Sequence, residues 1–214
     1  MKTRESGMPD ESMWVGFFEP ARVLQTLRLT AACGDVVDFG CGYGTFTIPA
    51  ARTISGIVHA LDIEPKMIEA TRAKAAQERL DNVRVCLRDF VALGSGLPAA
   101  GVDYVMLFNI LHAECPETLL RESARILKPR GLLAVIHWRY DPSTPRGPSM
   151  QTRPRPEQCR DWALQCGFVL LDPGILDLPP YHYGMVFERP AESSTGPTAR
   201  PSLDTSGRPT TPAA

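Results

Sequence analysis

The feature that most constrains this 214-residue chain is a regular alternation of short apolar strand segments with amphipathic helical segments. The strand segments are rich in β-branched residues and lack alternating polar positions, which indicates strands buried on both faces. Alternation of this kind predicts a parallel sheet with right-handed crossovers. The predicted strands are residues 36–40, 57–63, 83–89, 102–110 and 131–138, and the predicted helices are residues 20–29, 45–53, 65–80 and 116–127.

The end of the domain departs from this alternation. Residues 168–178 and 183–189 are strand-like, with no helix between them, and Pro179-Pro180 joins them. Since proline cannot continue a strand ladder, we expect an antiparallel hairpin that closes the sheet. We divide the chain into an N-terminal segment (1–19), an α/β domain (20–189) and a tail (190–214). The tail holds five prolines and nine Ser or Thr residues and is predicted to be disordered.

Composition and charge argue against several classes of function. The formal net charge of −1 gives no reason to expect nucleic acid or an anionic membrane as a partner. No apolar run approaches the ~18 residues of a membrane helix, and the N-terminus lacks the apolar core of a signal peptide, so a cytoplasmic location is expected. The six cysteines stand singly, without a zinc-type spacing, and we predict no metal site.

A glycine-rich segment follows the first predicted strand and precedes a helix. It runs Asp38-Phe39-Gly40-Cys41-Gly42-Tyr43-Gly44, in which the glycines permit a tight turn and a close approach of the backbone to a ligand. The third glycine comes one residue earlier than in a dinucleotide fingerprint. Asp38 would repel a pyrophosphate but attract an ammonium group, so a ligand with an amino acid end fits better than NAD.

Further polar or aromatic residues end the other predicted strands. Asp62 ends the second strand, where a carboxylate can accept both hydroxyls of a ribose. Asp89 and Phe90 end the third, where an acid can accept from an exocyclic amine and a ring can flank a base, and Asn109 ends the fourth. Because open α/β sheets bind ligands at the carboxyl ends of their strands, we expect these residues to share one site.

In the order and spacing of five stretches, the chain resembles the class I S-adenosylmethionine-dependent methyltransferases, and within them the UbiE/type 11-like group. The stretches are VVDFGCGYG, HALDIEPKM, VRVCLRDF, VDYVMLFNILH and RILKPRGLLAVIHW, which together span residues 36–138. The resemblance implies an α/β, Rossmann-like doubly wound sheet of strand order 3-2-1-4-5-7-6. In that sheet strand 7 is antiparallel, and helices cover both faces.

The resemblance also implies S-adenosylmethionine as the cofactor and residues that bind it. Asp38 and the loop glycines Gly40, Gly42 and Gly44 would hold its methionine end, and Asp62 would bind its ribose. The other implied cofactor-binding positions are Ile63, Met67, Asp89, Phe90 and Asn109.

The residues for the chemistry itself are less sharply defined. Methyl transfer is an in-line displacement, so a general base is needed only where the acceptor must lose a proton. Three side chains near the predicted site are candidates for catalysis: His112, Glu114 and His137. His112 can equally be a surface histidine, and Glu114 can simply favour a helix N-terminus. His137 alternates with Trp138 at a strand end, so we expect one of the two to face the cleft.

Two flanking segments bear on the acceptor pocket. Trp14, Phe17 and Phe18 either cover the cofactor as a lid or pack on the core, and we favour the core. The Arg- and Pro-rich segment 139–156 is predicted to be a long irregular loop. Such loops are often functional, and its place after the fifth strand puts it on the acceptor side unless it is only a solvated surface loop.

These features predict an enzyme that methylates a small molecule or a protein side chain. In this family, enzymes that act on DNA bases or glutamine amides commonly carry an N/D-P-P-Y/F motif, where this chain has Asn109-Ile110-Leu111-His112. Those acceptors are therefore disfavoured. Two alternatives stay open: a catalytically weak, methyltransferase-like scaffold subunit with a partner protein, and an NAD-dependent oxidoreductase, which the glycine spacing disfavours.

Overall fold

The structure, a computed structural model, describes residues 10–191. The first nine residues and almost all of the predicted tail lie outside this range, so the proposed domain limits and the disorder of the tail stay predictions. Among the described residues, no helix has the length and apolar character needed to cross a bilayer. The cytoplasmic location also stays a prediction.

Helices and strands follow one another in the predicted alternating order. The strands are β1 (Val36–Phe39), β2 (Val58–Asp62), β3 (Val83–Leu87), β4 (Val102–Phe108), β5 (Leu127–Trp138), β6 (Val169–Leu170), β7 (Leu176–Leu178) and β8 (His182–Glu188). The helices are α1 (Glu11–Val15), α2 (Pro20–Thr26), α3 (Thr47–Thr53), α4 (Pro65–Gln77), α5 (Phe90–Leu93), α6 (Pro116–Ile126) and α7 (Pro156–Gln165).

These strands form one sheet in the order β3-β2-β1-β4-β5-β8-β6, and β7 also pairs with β8. The first five strands are parallel to one another, whereas β8 runs antiparallel to β5, β6 and β7. The predicted order 3-2-1-4-5-7-6 is thus confirmed, with β8 as its strand 7. The predicted strand 168–178 is split into β6 and β7 around Pro173 and Gly174, because proline has no N–H to donate to a ladder.

Other differences from the predicted elements come from tertiary pairing and from short helices. Strand β5 begins at Leu127 rather than at residue 131, because Leu127 pairs with Val102 and the Arg130 N–H donates to the Arg189 carbonyl over 2.8 Å. Helices α1 and α5 are too short to show a periodic pattern. Helix α7 begins with Pro156 at a position that favours proline, a signal that sequence inspection could have used.

The core lies in two layers, one on each face of the sheet. Consecutive residues of β4 show this: Val105 and Leu107 pack in one layer, and Tyr104 and Met106 in the other. Helices α6 and α7 cover the first layer, and α2 and α3 cover the second. Because apolar side chains fill both faces, the edges of the sheet are left for polar ligand-binding groups.

A buried hydrogen bond ties α2 to the sheet, and its removal tests the packing. The Tyr104 hydroxyl donates to the Leu27 carbonyl over 2.8 Å. We expect Tyr104→Phe to lower the free energy of unfolding by about 1–2 kcal/mol, because the carbonyl loses its partner in a dry environment. Urea denaturation measures this, and Tyr140→Phe, at an exposed ring, is the control. Equal stability of the two variants would contradict the expectation.

Candidate functional site

The glycine-rich loop crosses the carboxyl edge of the sheet, where β1, β2 and β4 end. Its start is fixed by the Gly40 and Cys41 N–H groups, which both donate to the Leu61 carbonyl, over 2.8 and 3.0 Å. Gly40 and Gly44 have φ angles of +75°, which disfavour other residues. A Cβ at Gly40 would lie 3.0 Å from the Ile110 side chain. The loop therefore takes the tight turn that its sequence predicts.

Asp62, at the end of β2, fixes the position of this loop by a hydrogen bond. One carboxylate oxygen accepts the Gly42 N–H over 2.9 Å, and the other accepts the Glu64 N–H over 2.9 Å. A carboxylate offers about four acceptor positions, so each oxygen keeps capacity for one further donor. The two backbone bonds fix the plane of the carboxylate, and it can accept a pair of neighbouring hydroxyl groups.

Asp38 is a second buried acid at the same edge. It is 3% exposed and accepts the Thr47 hydroxyl proton over 2.6 Å, and among the described residues neither it nor Asp62 has an ion-pair partner. Burial raises the pKa of Asp38 to about 7; the Thr47 hydrogen bond opposes this rise and the nearby Asp62 adds to it. Burial also raises the pKa of Asp62, against its backbone hydrogen bonds. Two buried acids without a cation form a site that a positively charged ligand would stabilise.

Asn109 completes this edge from the end of β4. Its backbone is left-handed, with φ +58°, a conformation that asparagine tolerates, and its N–H donates to the Ile136 carbonyl over 2.8 Å. Both polar atoms of its side-chain amide are buried without a hydrogen-bond partner in the described part of the chain, as is the Thr45 hydroxyl. A ligand that offers a donor and an acceptor here would satisfy groups that the fold leaves unpaired.

The other predicted cofactor residues lie around this centre. Ile63 is half-buried after β2, and Met67 is buried in the first turn of α4. Phe90 is buried and packs edge-to-face on Phe39, with ring centroids 5.3 Å apart. Asp89 caps α5, since its carboxylate accepts the Ala92 N–H over 3.0 Å. In this structure Asp89 therefore has the role of capping the N-terminus of α5.

Of the predicted catalytic residues, the two histidines lie next to each other. The rings of His112 and His137 lie 5.6 Å apart, while Glu114 is exposed. His137 and Trp138 are both buried, with exposed fractions of 0% and 3%, and the expectation that one of them faces the cleft stays a prediction. Strand β8 and the N-terminal aromatic residues cover the end of β5.

The N-terminal aromatic residues pack as a cluster beside the glycine loop. Trp14 and Phe17 are buried against Trp138, with Phe18 and Tyr43 at the margin of the cluster. Lys74 anchors this segment: it pairs with Glu11 of α1 and donates to the Tyr43 carbonyl over 2.7 Å. The favoured interpretation of these rings as core-packing residues agrees with this arrangement.

Arg153 organises the loop from residue 139 to 155, which is irregular as predicted, and sequence inspection did not single it out. Its guanidinium is buried and donates to the Arg139, Asp141, Arg146 and Pro148 carbonyls and to the Thr144 hydroxyl, at 2.6–3.2 Å. Its five N–H groups are thus all engaged within the loop. Arg153 fixes the loop against the Trp138 ring and has no donor left for a ligand.

Known proteins share this sequence pattern. A family model described as a methyltransferase domain matches residues 36–131. Aklanonic acid methyltransferase of Streptomyces sp. (strain C5) is 35% identical over 48% of this chain and 47% of its own length. Nocamycin O-methyltransferase of Saccharothrix syringae is 33% identical over 70% of this chain and 49% of its own. The chain therefore spans about half the length of these relatives.

A solved structure of another protein has the same fold over nearly the whole length of that protein. It is a SAM-dependent methyltransferase from Aquifex aeolicus, with a TM-score of 0.73 and 23% identity, and the alignment covers 84% of this chain and 94% of that one. At this level of identity the likeness concerns the fold alone. It agrees with the order of strands and the helices on both faces.

The buried His182 at the start of β8 gives the fold a pH dependence that can be measured. Its ring lies 4.3 Å from the rings of both Phe18 and Trp138, and neither ring nitrogen has a hydrogen-bond partner among the described residues. Burial, helped by the charges of Arg139 and Arg153, lowers its pKa from 6.5 to about 3. The unfolded chain therefore binds a proton that the folded chain refuses, and stability falls as the pH falls below 6.5.

We expect His182→Phe to remove the part of this dependence that comes from His182, while the parts from His112 and His137 remain. Between pH 7 and 5 the wild type should lose about 2 kcal/mol that the variant keeps. Urea denaturation at both pH values measures the difference, and His59→Gln, at a half-buried histidine, serves as the control with a smaller effect. Parallel stability curves for wild type and His182→Phe would refute the assignment.

Proposed function

This chain belongs to the class I S-adenosylmethionine-dependent methyltransferase family, and on that premise we propose that it is an enzyme that transfers a methyl group from S-adenosylmethionine to an oxygen atom of a small organic molecule. The observation that carries the proposal is the orientation of the Asp62 carboxylate. Two backbone N–H groups orient its carboxylate beside the glycine-rich loop, so that it can accept both ribose hydroxyls.

The remaining residues at the carboxyl edge fit the other parts of this cofactor. Asp38 places a buried carboxyl group near the loop, and a bound cation would favour its charged form, which suits the ammonium group and the cationic sulfur. The unpaired amide of Asn109 offers both a donor and an acceptor to the amino acid end. Gly40 and Gly44, which lack a Cβ, let the loop turn tightly against the Ile110 and Thr71 side chains and so shape the surface that faces the ligand. Met67 and Ile63 supply apolar surface for the adenine.

When bound, S-adenosylmethionine supplies an electrophilic methyl group on a positively charged sulfur. The chain's own residues then have to align donor and acceptor and exclude water, which accounts for much of the rate of an in-line displacement. The buried aromatic cluster of Trp14, Phe17 and Trp138, with Tyr43 of the glycine-rich loop packed against it, is suited to exclude water on that side of the loop.

The two curated relatives support a small-molecule oxygen as the acceptor, since one is named for an organic acid and the other as an O-methyltransferase. A protein side chain is the other class of acceptor. An NAD-dependent oxidoreductase fits poorly, because the buried Asp38 would face the pyrophosphate. A scaffold subunit without turnover would bind the cofactor and transfer nothing.

Removal of the Asp62 carboxylate tests the cofactor site. We expect Asp62→Ala to weaken the binding of S-adenosylhomocysteine at least tenfold (about 1.4 kcal/mol), because the ribose hydroxyls lose their acceptor. Isothermal titration calorimetry on the folded proteins measures this.

The matched control is Asp103→Ala. Asp103 also accepts a backbone N–H, that of Asp35 over 3.1 Å, but it lies at the opposite edge of the sheet, so its loss should leave the dissociation constant unchanged. Equal affinities of wild type and Asp62→Ala would remove the ribose assignment. Cofactor binding without transfer to any small molecule or protein tested would favour the scaffold function.

A further inference from the structure

A small cavity lies at the amino edge of the sheet, on the side of the molecule opposite the proposed cofactor site. Its volume is about 260 Å³, and it lies between the end of α2 and the start of β5. The polar side chains that line it belong to Arg28, Thr30, Cys33, Asp103, Lys128 and Arg130. Since none of these residues belongs to the proposed methyl-transfer site, the cavity needs an explanation of its own.

Positive charges outnumber negative ones in this cavity. Its lining holds three cations and one carboxylate, which leaves a formal net charge of +2. The carboxylate of Asp103 is already engaged, because it accepts from the Lys128 ammonium over 2.8 Å and from the Asp35 N–H over 3.1 Å. Arg28 donates to a backbone carbonyl, which is an uncharged acceptor. The Arg130 guanidinium has no hydrogen-bond or ion-pair partner among the described residues. Two guanidinium groups here thus lack a carboxylate partner in that part of the chain.

Both arginines stand at backbone positions that favour glycine. Their φ angles are +66° for Arg28 and +65° for Arg130, in the left-handed region that a Cβ disfavours. Arg28 follows the end of α2, where the Leu29 N–H donates to the Leu24 carbonyl over 2.9 Å, an arrangement that glycine usually completes. Arg130 lies where β5 bulges away from β4, which is another position typical of glycine. Each side chain thus costs conformational energy, and a ligand that needs both accounts for their presence.

Arg79 has the same backbone geometry as Arg28 but lies outside the cavity. Its φ angle is +58°, and it follows the end of α4, where the Leu80 N–H donates to the Ala75 carbonyl over 2.9 Å. A positive charge near a helix C-terminus is stabilising, and this effect is common to both residues. It does not extend to Arg130, which lies within a strand. Arg79 is therefore a natural control for a role that depends on the cavity.

We propose that this cavity binds the phosphate group of a small molecule, held by Arg28, Lys128 and Arg130. A guanidinium presents parallel N–H donors that match the oxygens of a phosphate. A phosphate monoester carries a charge of about −1.5 to −2 at pH 7, which matches the net charge of the lining, whereas a carboxylate would neutralise only half of it. The Thr30 hydroxyl, whose neighbour is the Cys33 thiol at 3.9 Å, can donate a further hydrogen bond.

The proposed phosphate site is separate from methyl transfer and goes beyond the proposed function. Strands β4 and β5 begin beside it and end at the opposite edge, where Asn109 follows β4. A ligand at the amino edge therefore cannot contact the transferred methyl group. Because it would bind the folded chain and not the unfolded one, it would raise the stability of the domain in proportion to the logarithm of its concentration.

The test titrates the full-length protein with methyl phosphate, and with acetate as a monoanionic control. Both titrations are made at constant ionic strength, so that general screening of surface charge is equal. Amide NMR gives the dissociation constants and shows which signals move. We expect methyl phosphate to bind at one site per chain, to shift the amide signals of Arg130 and Gly131, and to bind more tightly than acetate by a factor of about ten or more.

Substitution by glycine separates the side chain from the backbone. Arg28→Gly and Arg130→Gly should each weaken the binding of methyl phosphate by a factor of about ten or more, because a charge-assisted hydrogen bond is lost. Since glycine suits both backbone positions, the thermal midpoint should stay within about 4 °C of the wild type. The matched control Arg79→Gly should change the midpoint as Arg28→Gly does and keep the wild-type affinity. Arg130→Asn also tolerates a left-handed backbone and replaces Arg130→Gly if that variant does not fold.

Four results would overturn the proposal: no binding of methyl phosphate, equal binding of acetate, wild-type affinity in the Arg28 and Arg130 variants, or an equal loss in Arg79→Gly. Both cavity variants should also bind S-adenosylhomocysteine as the wild type does. A parallel loss of both ligands would reflect a change in the fold and would count against a phosphate site. A wild-type protein that binds methyl phosphate but not S-adenosylhomocysteine would support this site and contradict the proposed function, so the two failures are distinguishable.

Discussion

The hydrogen bond from the Gly42 N–H to Asp62 joins the loop after β1 to the end of β2, and the geometry of the site depends on it. It orients the carboxylate, and it holds the loop in the left-handed conformation that its glycines permit. Both partners come from adjacent parallel strands, so the register Asp38↔Ala60 and Phe39↔Leu61 sets their distance. The site is in this sense a consequence of strand pairing.

Acidic and basic groups at this edge respond to burial in opposite directions. Burial raises the pKa of Asp38 to about 7 and lowers that of His112 to about 4, so both groups favour the neutral state. Asp38 destabilises the fold as the pH rises between 3.8 and about 7, whereas the histidines destabilise it as the pH falls below 6.5. A bound cation would favour the charged form of Asp38 and so remove its destabilising effect, whereas it would not favour the charged form of the histidines. The edge is therefore suited to a positively charged ligand and a neutral base.

The sequence could predict the parts of this protein that depend on local pattern. The parallel strands, the glycine turn and the place of Asp62 follow from apolar runs and from the residues that end them, because parallel strands place their carboxyl ends at one edge. The strand order followed from the resemblance to a known family. Helix α7 and the break between β6 and β7 had local signals in Pro156 and Pro173. The position of Arg153 had none, because its partners are backbone carbonyls of an irregular loop, which no residue pattern specifies.

By itself the sequence determined the α/β class, the alternation that buries both faces of the sheet, and the identity of the polar residues that end its strands. Only the tertiary structure decided which of those residues meet. The contact of His112 with His137 and the burial of Trp138 by the N-terminal segment join parts of the chain that are distant in sequence. The physical reason is that periodicity fixes which face a side chain takes, whereas burial and unpaired hydrogen-bonding groups depend on what packs against it.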